Sequence, residues 1–335
     1  MGACEVRGYV PSDETALVDL LNRVAVLEGG NRTSAREWRA LLALWGSDAG
    51  SDVAVALWEG YPAGCAVVGR KESSTEEFFP TEGVVLPEYR RRGIGTALMK
   101  RLIARAAACR RAYDRPSRVG MRSSSRRPGT AELAQSLGFW RLTSAFWMER
   151  GTEGLPQVAA PRAFRFRRFE RDRDERPFVH LFNRSFADHF PPNQLTLESL
   201  ESWLRSGIME PEGTVLAVVK DGWAKGAGAA GDSEGAVWSE AGEGMVGFCT
   251  TSFHAEGDQD GRPVGEVATL GVVPEFRRRG LGRTLLVLGL ASLRDRGAVR
   301  AGLRVMAGNQ AARTLYASIG FEEAYREVLW RLDLG

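Results

Sequence analysis

Fourteen consecutive residues of this chain occur twice. Val272-Val273-Pro274-Glu275-Phe276-Arg277-Arg278-Arg279-Gly280-Leu281-Gly282-Arg283-Thr284-Leu285 in the second half is matched by Val85-Leu86-Pro87-Glu88-Tyr89-Arg90-Arg91-Arg92-Gly93-Ile94-Gly95-Thr96-Ala97-Leu98 in the first, with nine positions identical. In both copies an apolar run reads as a strand and ends at Pro. Three Arg follow, and Gly-x-Gly opens a segment with apolar residues at helical spacing: Leu281, Leu285 and Leu288, or Ile94, Leu98 and Leu102. The unit is strand, tight loop, helix, present twice. A chain of 335 residues also has the length of two domains.

The loop chemistry points to a phosphate ligand. Gly allows positive φ and close backbone approach. Free amides at a helix start, with the positive end of the dipole, bind anions. Three Arg at that end are disfavoured by the same dipole, and a bound polyanion removes the conflict. A solvated Arg turn is the alternative for one copy; two copies in the same context argue against it. A dinucleotide fingerprint needs Gly or Ala where Leu285 and Leu98 stand, and an NTPase loop needs Gly-Lys, which the chain lacks.

Arg-x-x-Gly-x-Gly after a strand ending in Pro-Glu-Phe/Tyr resembles the acetyl-CoA signature of the GNAT N-acetyltransferases. The second half also carries the family's downstream piece, Asn309-Gln310-Ala311-Ala312-Arg313-Thr314-Leu315-Tyr316 followed by Ile319-Gly320-Phe321. The paired arrangement is similar to that of tandem acetyltransferases of the mycothiol-synthase type. The resemblance implies an α/β (α+β) fold of two tandem units, each a mixed, mostly antiparallel sheet flanked by helices. It implies that acetyl-CoA is the cosubstrate, held by Arg277, Arg278, Arg279, Gly280, Leu281, Gly282 and Arg283, by the strand Leu270-Gly271-Val272, and by Asn309 and Ala312. Arg90, Arg91, Arg92, Gly93, Ile94 and Gly95 are the matching loop of the first half.

The rest of the chain sets limits. No apolar run approaches the ~20 residues of a membrane span, and Met1-Gly2-Ala3-Cys4-Glu5 lacks the basic start and apolar core of a signal peptide. Four scattered Cys and three His without metal spacing suggest a cytoplasmic, metal-free protein. Arg outnumbers Lys about tenfold, which weakens any argument from Arg patches. Arg110 to Arg127 holds seven Arg but no aromatic residues placed for base stacking, so nucleic acid is not an expected partner. A monomer or homodimer is expected.

Periodicity places strands at 5–10, 53–58, 63–69, 78–86, 118–122 and 139–149, and helices capped by Ser12 or Asp13 and by Thr33 or Ser34, one running to Cys109, and one over 129–137. Residues 151–162, rich in Gly, Pro and Ala, read as a linker between units 1–150 and 163–335. The pattern then repeats, with a Gly- and Ala-rich hairpin tip at 221–244.

Acetyl transfer to an amine requires a base for the amine proton and a donor for the leaving thiolate. Within the resemblance, Glu266, on the strand before the second loop, is the candidate base. Alternation along a strand puts Glu266, Ala268 and Leu270 on one face; a solvent-facing Glu is the alternative. Tyr316 is the candidate acid, or else a core residue. Asn309 can also be a simple helix cap. The first half has Arg127, Ala134 and Phe79 at the positions of Asn309, Tyr316 and Glu266, hence no acid or base; it reads as a degenerate copy that can still hold CoA and helps to build the acceptor cleft. The acceptor is expected near Asp188, His189 and Phe190. The function expected is acetylation of a primary amine on a small molecule by direct attack in a ternary complex. A cysteinyl pseudodisaccharide is the narrower version, and a non-catalytic acyl-CoA sensor is the reading from another class.

Overall fold

A computed structural model of the chain describes residues 4–44, 48–72, 76–111, 115–187, 194–207, 209–219, 237–238 and 244–335. The first half contains β1 (Cys4–Gly8), α1 (Glu14–Glu28), α2 (Ala35–Leu44), α3 (Ala49–Asp52), β2 (Val53–Trp58), β3 (Tyr61–Val68), β4 (Lys71–Glu72), β5 (Glu77–Val85), α4 (Ile94–Cys109), β6 (Ser117–Ser124), α5 (Thr130–Ser136) and β7 (Trp140–Gly151). The second contains β8 (Phe164–Arg168), α6 (Glu175–Ser185), α7 (Leu197–Ser206), β9 (Val215–Val219), β10 (Val237–Trp238), β11 (Gly244–His254), β12 (Val264–Val272), α8 (Leu281–Asp295), β13 (Arg300–Met306), α9 (Gln310–Ser318) and β14 (Glu322–Leu334). The hairpin tip expected at 221–244 lies outside the described residues except for β10 and Gly244, which pair across a short ladder.

Local chemistry explains several boundaries. Ser34 and Glu37 form a capping box at α2: the Ser34 Oγ accepts from the Glu37 amide at 3.3 Å, and the Glu37 carboxylate accepts from the Ser34 amide at 2.8 Å. The Thr196 Oγ1 caps α7 by accepting from the Ser199 amide at 3.1 Å. In the second half, α6 packs aromatic on aromatic against β11, with the Phe178 and Phe182 rings 4.9 and 5.8 Å from Phe248.

The strands make one sheet in the order β1-β2-β3-β5-β6-β14-β7-β13-β12-β11-β9-β8, with β4 on β5 and β10 on β11. Sequence order places β7 beside β6, closing the first half's sheet at 139–149. The structure places β14 there instead: β14 runs between β6 and β7, and β7 runs between β14 and β13. Each half therefore lends its last strand to the other. Both exchanged strands pair on both sides, so no edge is left where the halves meet. The alternation within a strand specifies its buried face but not its neighbour, which is why the exchange is not visible in the periodicity.

One consequence can be measured. A fragment of residues 1–161 keeps β7 but lacks β14, leaving β6 with an open edge. It should aggregate or melt without cooperativity, and co-expression with 162–335 should restore a soluble, cooperatively melting complex. A monomeric 1–161 fragment with a sharp melt would refute the coupling.

Candidate active site

The two Arg loops have the same backbone. Arg91 and Arg278 both sit at φ 60°, and Gly93 and Gly280 both at φ 81°. These glycines are the N-caps of α4 and α8, with ψ of −4° and −6°. A non-Gly residue at positive φ costs on the order of 1–3 kcal/mol. The same strain at the same place in two copies marks a functional conformation. It turns successive amides and a helix start toward one point, the geometry that binds phosphate.

The three Arg of each loop divide their work. The first is a brace: Arg90 Nε donates to the Val85 carbonyl at 3.0 Å, and Arg277 Nε to the Val272 carbonyl at 3.1 Å. Arg90 also pairs with Glu28, and Arg277 donates to the Ser185 carbonyl. The third stacks on rings, Arg92 over Trp58 at 4.8 Å and Arg279 over Phe276 at 5.1 Å. In each triplet only the second Arg, 91 and 278, has neither a hydrogen bond or ion pair nor a ring contact with another described residue. Those two guanidinium groups remain for a pyrophosphate, which the cradle fits. Arg283 donates to the Ser318 hydroxyl at 2.9 Å, tying α8 to α9.

The strand before each cradle parts from its parallel neighbour. β12 pairs with β13 only from Val264↔Arg300 to Glu266↔Gly302. β5 pairs with β6 only from Glu77↔Ser117 to Pro80↔Gly120. Beyond these points each pair opens into a slot whose inner backbone groups have no strand partner. Leu270, Gly271 and Val272 line the β12 side of the second slot.

Glu266 stands at the last pair before the second slot opens. Two details correct the sequence reading. First, the β11–β12 register shifts between Thr250 and Thr251, leaving Ala268 as the extra residue of a bulge. Glu266 and Ala268 line a common cavity, but Leu270 does not share their face. Leu270 lies opposite Cys249, whose side chain points at Gly289 of α8. A bulge adds one residue, which reverses the alternation. Second, β5 pairs with β3 from Gly64↔Val85 to Val68↔Thr81 without a register shift, so the position equivalent to Glu266 is Pro80, opposite Gly120, and not Phe79. Neither residue is a base.

Tyr316 lies on α9 with its ring buried and 6.0 Å from Phe321. Burial first, then the neighbouring Cys249 thiol, pushes its phenol above the usual range. Its hydroxyl makes no hydrogen bond to another described residue. Asn309 Oδ1 caps α9 by accepting from the Ala312 amide at 3.1 Å, which engages that amide. Arg313 of α9 lies over Phe146 of β7 at 4.5 Å, so the exchanged strand supports this helix.

A cavity of about 1230 Å³ runs from the first cradle, along the first slot, to Glu266. Its carboxylates are mostly neutralised: Glu28 by Arg90 and Arg127, Glu82 by Arg122, Glu210 by Arg296, Glu327 by Arg304. Glu132 and Glu256 have no ion-pair partner among the described residues but are exposed at its rim. Glu266 is half-buried and makes no hydrogen bond or ion pair among the described residues. The first half was expected to help build the acceptor cleft, but sequence reasoning named none of the residues it contributes, Glu37, Glu82 and Arg122, and gave His254 no role. The capping-box pattern Ser34-x-x-Glu37 was the one available signal, and it reads as helix capping alone. Asp188, His189 and Phe190 lie outside the described residues.

A doubled strand–cradle–helix unit, each with a strand pair that opens at the cradle, defines an acyl-CoA-dependent transferase fold. Residues 197–321 match the acetyltransferase (GNAT) family and residues 49–141 an acetyltransferase (GNAT) domain. The chain is 32% identical over 324 residues to a mycothiol acetyltransferase of Geodermatophilus obscurus, covering 96% of this chain and 94% of that one. It is 31% identical to the mycothiol acetyltransferase of Thermobispora bispora, with 96% of each covered. Among solved structures, a GCN5-related N-acetyltransferase from Sphaerobacter thermophilus superposes with a TM-score of 0.72 at 23% identity, over 98% of this chain and 95% of that one. A tandem GNAT protein from the clavulanic acid biosynthesis pathway gives 0.69 at 16% identity, over 99% of each. The chain belongs to the GNAT family of acetyltransferases, with two such domains in tandem. It is an acyltransferase, and its family uses acetyl-CoA. No described helix is long and apolar enough to cross a membrane.

Proposed function

We propose that the second unit, 163–335, is the catalytic one and that 1–150, joined to it by 151–162, holds acetyl-CoA without chemistry of its own. Acetyl-CoA supplies an acyl thioester. The cradle Arg277–Arg283, chiefly Arg278 and the amides at the start of α8, holds its pyrophosphate, and Leu270–Val272 lines its slot. Glu266 takes a proton from a primary amine in the cavity. The Tyr316 hydroxyl, kept protonated by burial, donates to the departing sulfur. The observation that carries this reading is an unpaired carboxylate at the point where β12 and β13 separate.

The acceptor follows from the full-length similarity to mycothiol acetyltransferases. We infer a small polar amine of the cysteinyl pseudodisaccharide type, bound near the segment containing Asp188, His189 and Phe190. Mass detection of the acetylated product across that compound and a panel of simple amines tests it. Turnover of simple amines alone would remove the narrower assignment.

The cradle assignment has its own test. A Cβ at Gly282 would stand 3.4 Å from Leu315 Cδ2, an ordinary contact. Gly282→Ala should therefore fold and still be stabilised by acetyl-CoA, by mass action on the native state. Gly282→Glu places a carboxylate at the pyrophosphate site and should lose the stabilisation contributed by the second unit. Calorimetric titration of both variants, counting sites per chain, distinguishes the two cradles. Two intact sites in Gly282→Glu would refute the assignment.

A further inference from the structure

His254 is placed where a base would pass its proton on. It ends β11 and lies two positions along from Ser252, the direct partner of Glu266 across the ladder. Glu266 and His254 are thus diagonal neighbours on one face, within reach of long side chains, and both line the cavity. On its far side, His254 Nδ1 meets Glu37 Oε1 at 3.2 Å. Glu37 belongs to α2 of the first half, and its other oxygen is held by the Ser34 amide and hydroxyl. The carboxylate is oriented by the cap and the imidazole by the carboxylate. With Nδ1 engaged, Nε2 is left; it is buried and has no hydrogen-bond partner. A buried polar atom in that state costs about 1–3 kcal/mol, and the ring cannot rotate to relieve it without giving up Glu37.

Resting on the assignment of Glu266 as base, we propose that His254 and Glu37 form a proton exit for it: His254 is a positioning residue that accepts at Nε2 the proton Glu266 has taken from the amine, while Nδ1–H passes a proton to Glu37. The balance closes. An ammonium acceptor loses two protons on becoming an amide; one is matched by the proton the thiolate gains, and the other leaves through this path. Glu37 is about one-third exposed, so the path reaches solvent. The first unit, without an acid or base of its own, thereby takes part in turnover.

The groups facing His254 are Glu37 from α2, Glu266 from β12, and Glu210, itself paired with Arg296. Burial alone lowers the imidazole pKa, but the Glu37 bond and the fields of Glu266, Glu37 and Glu210 outweigh it and raise it above the ordinary value. The exit needs neutral His254, so it works above this raised pKa and is blocked below it.

The test compares His254→Gln, His254→Ala, Glu37→Gln and Glu266→Gln as full-length chains, with kcat/KM measured across pH. His254→Gln should lose about 10- to 100-fold at neutral pH, no more than the bottom of the 10²–10⁴ range for a direct general acid or base because His254 acts through Glu266, with unchanged acetyl-CoA affinity. Added imidazole should restore part of the rate of His254→Ala. Glu37→Gln should move the ascending limb to lower pH, because the imidazole loses the partner that raises its pKa. Wild-type profiles in folded His254→Gln and Glu37→Gln, with Glu266→Gln inactive, overturn the exit alone. So does a loss that is equal at every pH and not rescued by imidazole. Full activity of Glu266→Gln overturns the base assignment and the exit with it.

Discussion

Glu266→Gln should lower kcat/KM at neutral pH by about 10²–10⁴, the usual contribution of a general base. The substitution keeps the shape and removes only the basicity. Glu266 has no hydrogen bond or ion pair to lose among the described residues, so the melting temperature should not move. Activity should recover partly as pH rises, because a growing fraction of the amine is then neutral and needs no base. Steady-state rates from pH 6 to 9, beside melting curves, check all of this. A folded Gln variant with full neutral-pH activity would move the base to another carboxylate of the cavity.

Tyr316→Phe should reduce kcat by ~10- to 10³-fold, up to the roughly 10²–10³-fold typical of losing one charge-stabilising donor. Acetyl-CoA affinity should change little, since in the proposed reading the pyrophosphate is held by the cradle and not by the Tyr316 hydroxyl. The hydroxyl bonds to no described residue, so its removal leaves no orphaned partner and stability should hold. Tyr316→Ala is different: it empties a buried site against Phe321 and should destabilise by about 3–5 kcal/mol, as for other large aromatic truncations. Normal turnover in the Phe variant would make Tyr316 a core residue and nothing more.

Local chemistry was readable in the chain. The repeat, the Pro stop, the Gly-x-Gly turn and the helical spacing of Leu281, Leu285 and Leu288 each act over a few residues, and the structure places the elements they specify with shifts of a residue or two. A cap at Thr33 or Ser34 and one at Asn309 followed from the same short-range logic, and the structure uses Ser34 and Asn309. The divided roles of the Arg triplet were not readable. Whether Arg277 faces a ligand or braces Val272 depends on where a carbonyl five residues earlier finishes, and the Ser185 carbonyl arrives from another element.

The face of Leu270 shows the limit sharply. Alternation is a property of an unbroken strand, and one inserted residue at Ala268 reverses it without leaving a mark in composition. The pairing of His254 with Glu37 is still further from view, since it joins α2 to β11 across 217 positions. By itself the sequence determined the doubled unit, the cradle and the family, because those rest on backbone conformations that neighbouring residues dictate. Tertiary structure alone decided that β7 and β14 change places and which residues of the two halves line one cavity. Strand pairing is satisfied by any edge of matching length and face, so only the assembled sheet selects the partner.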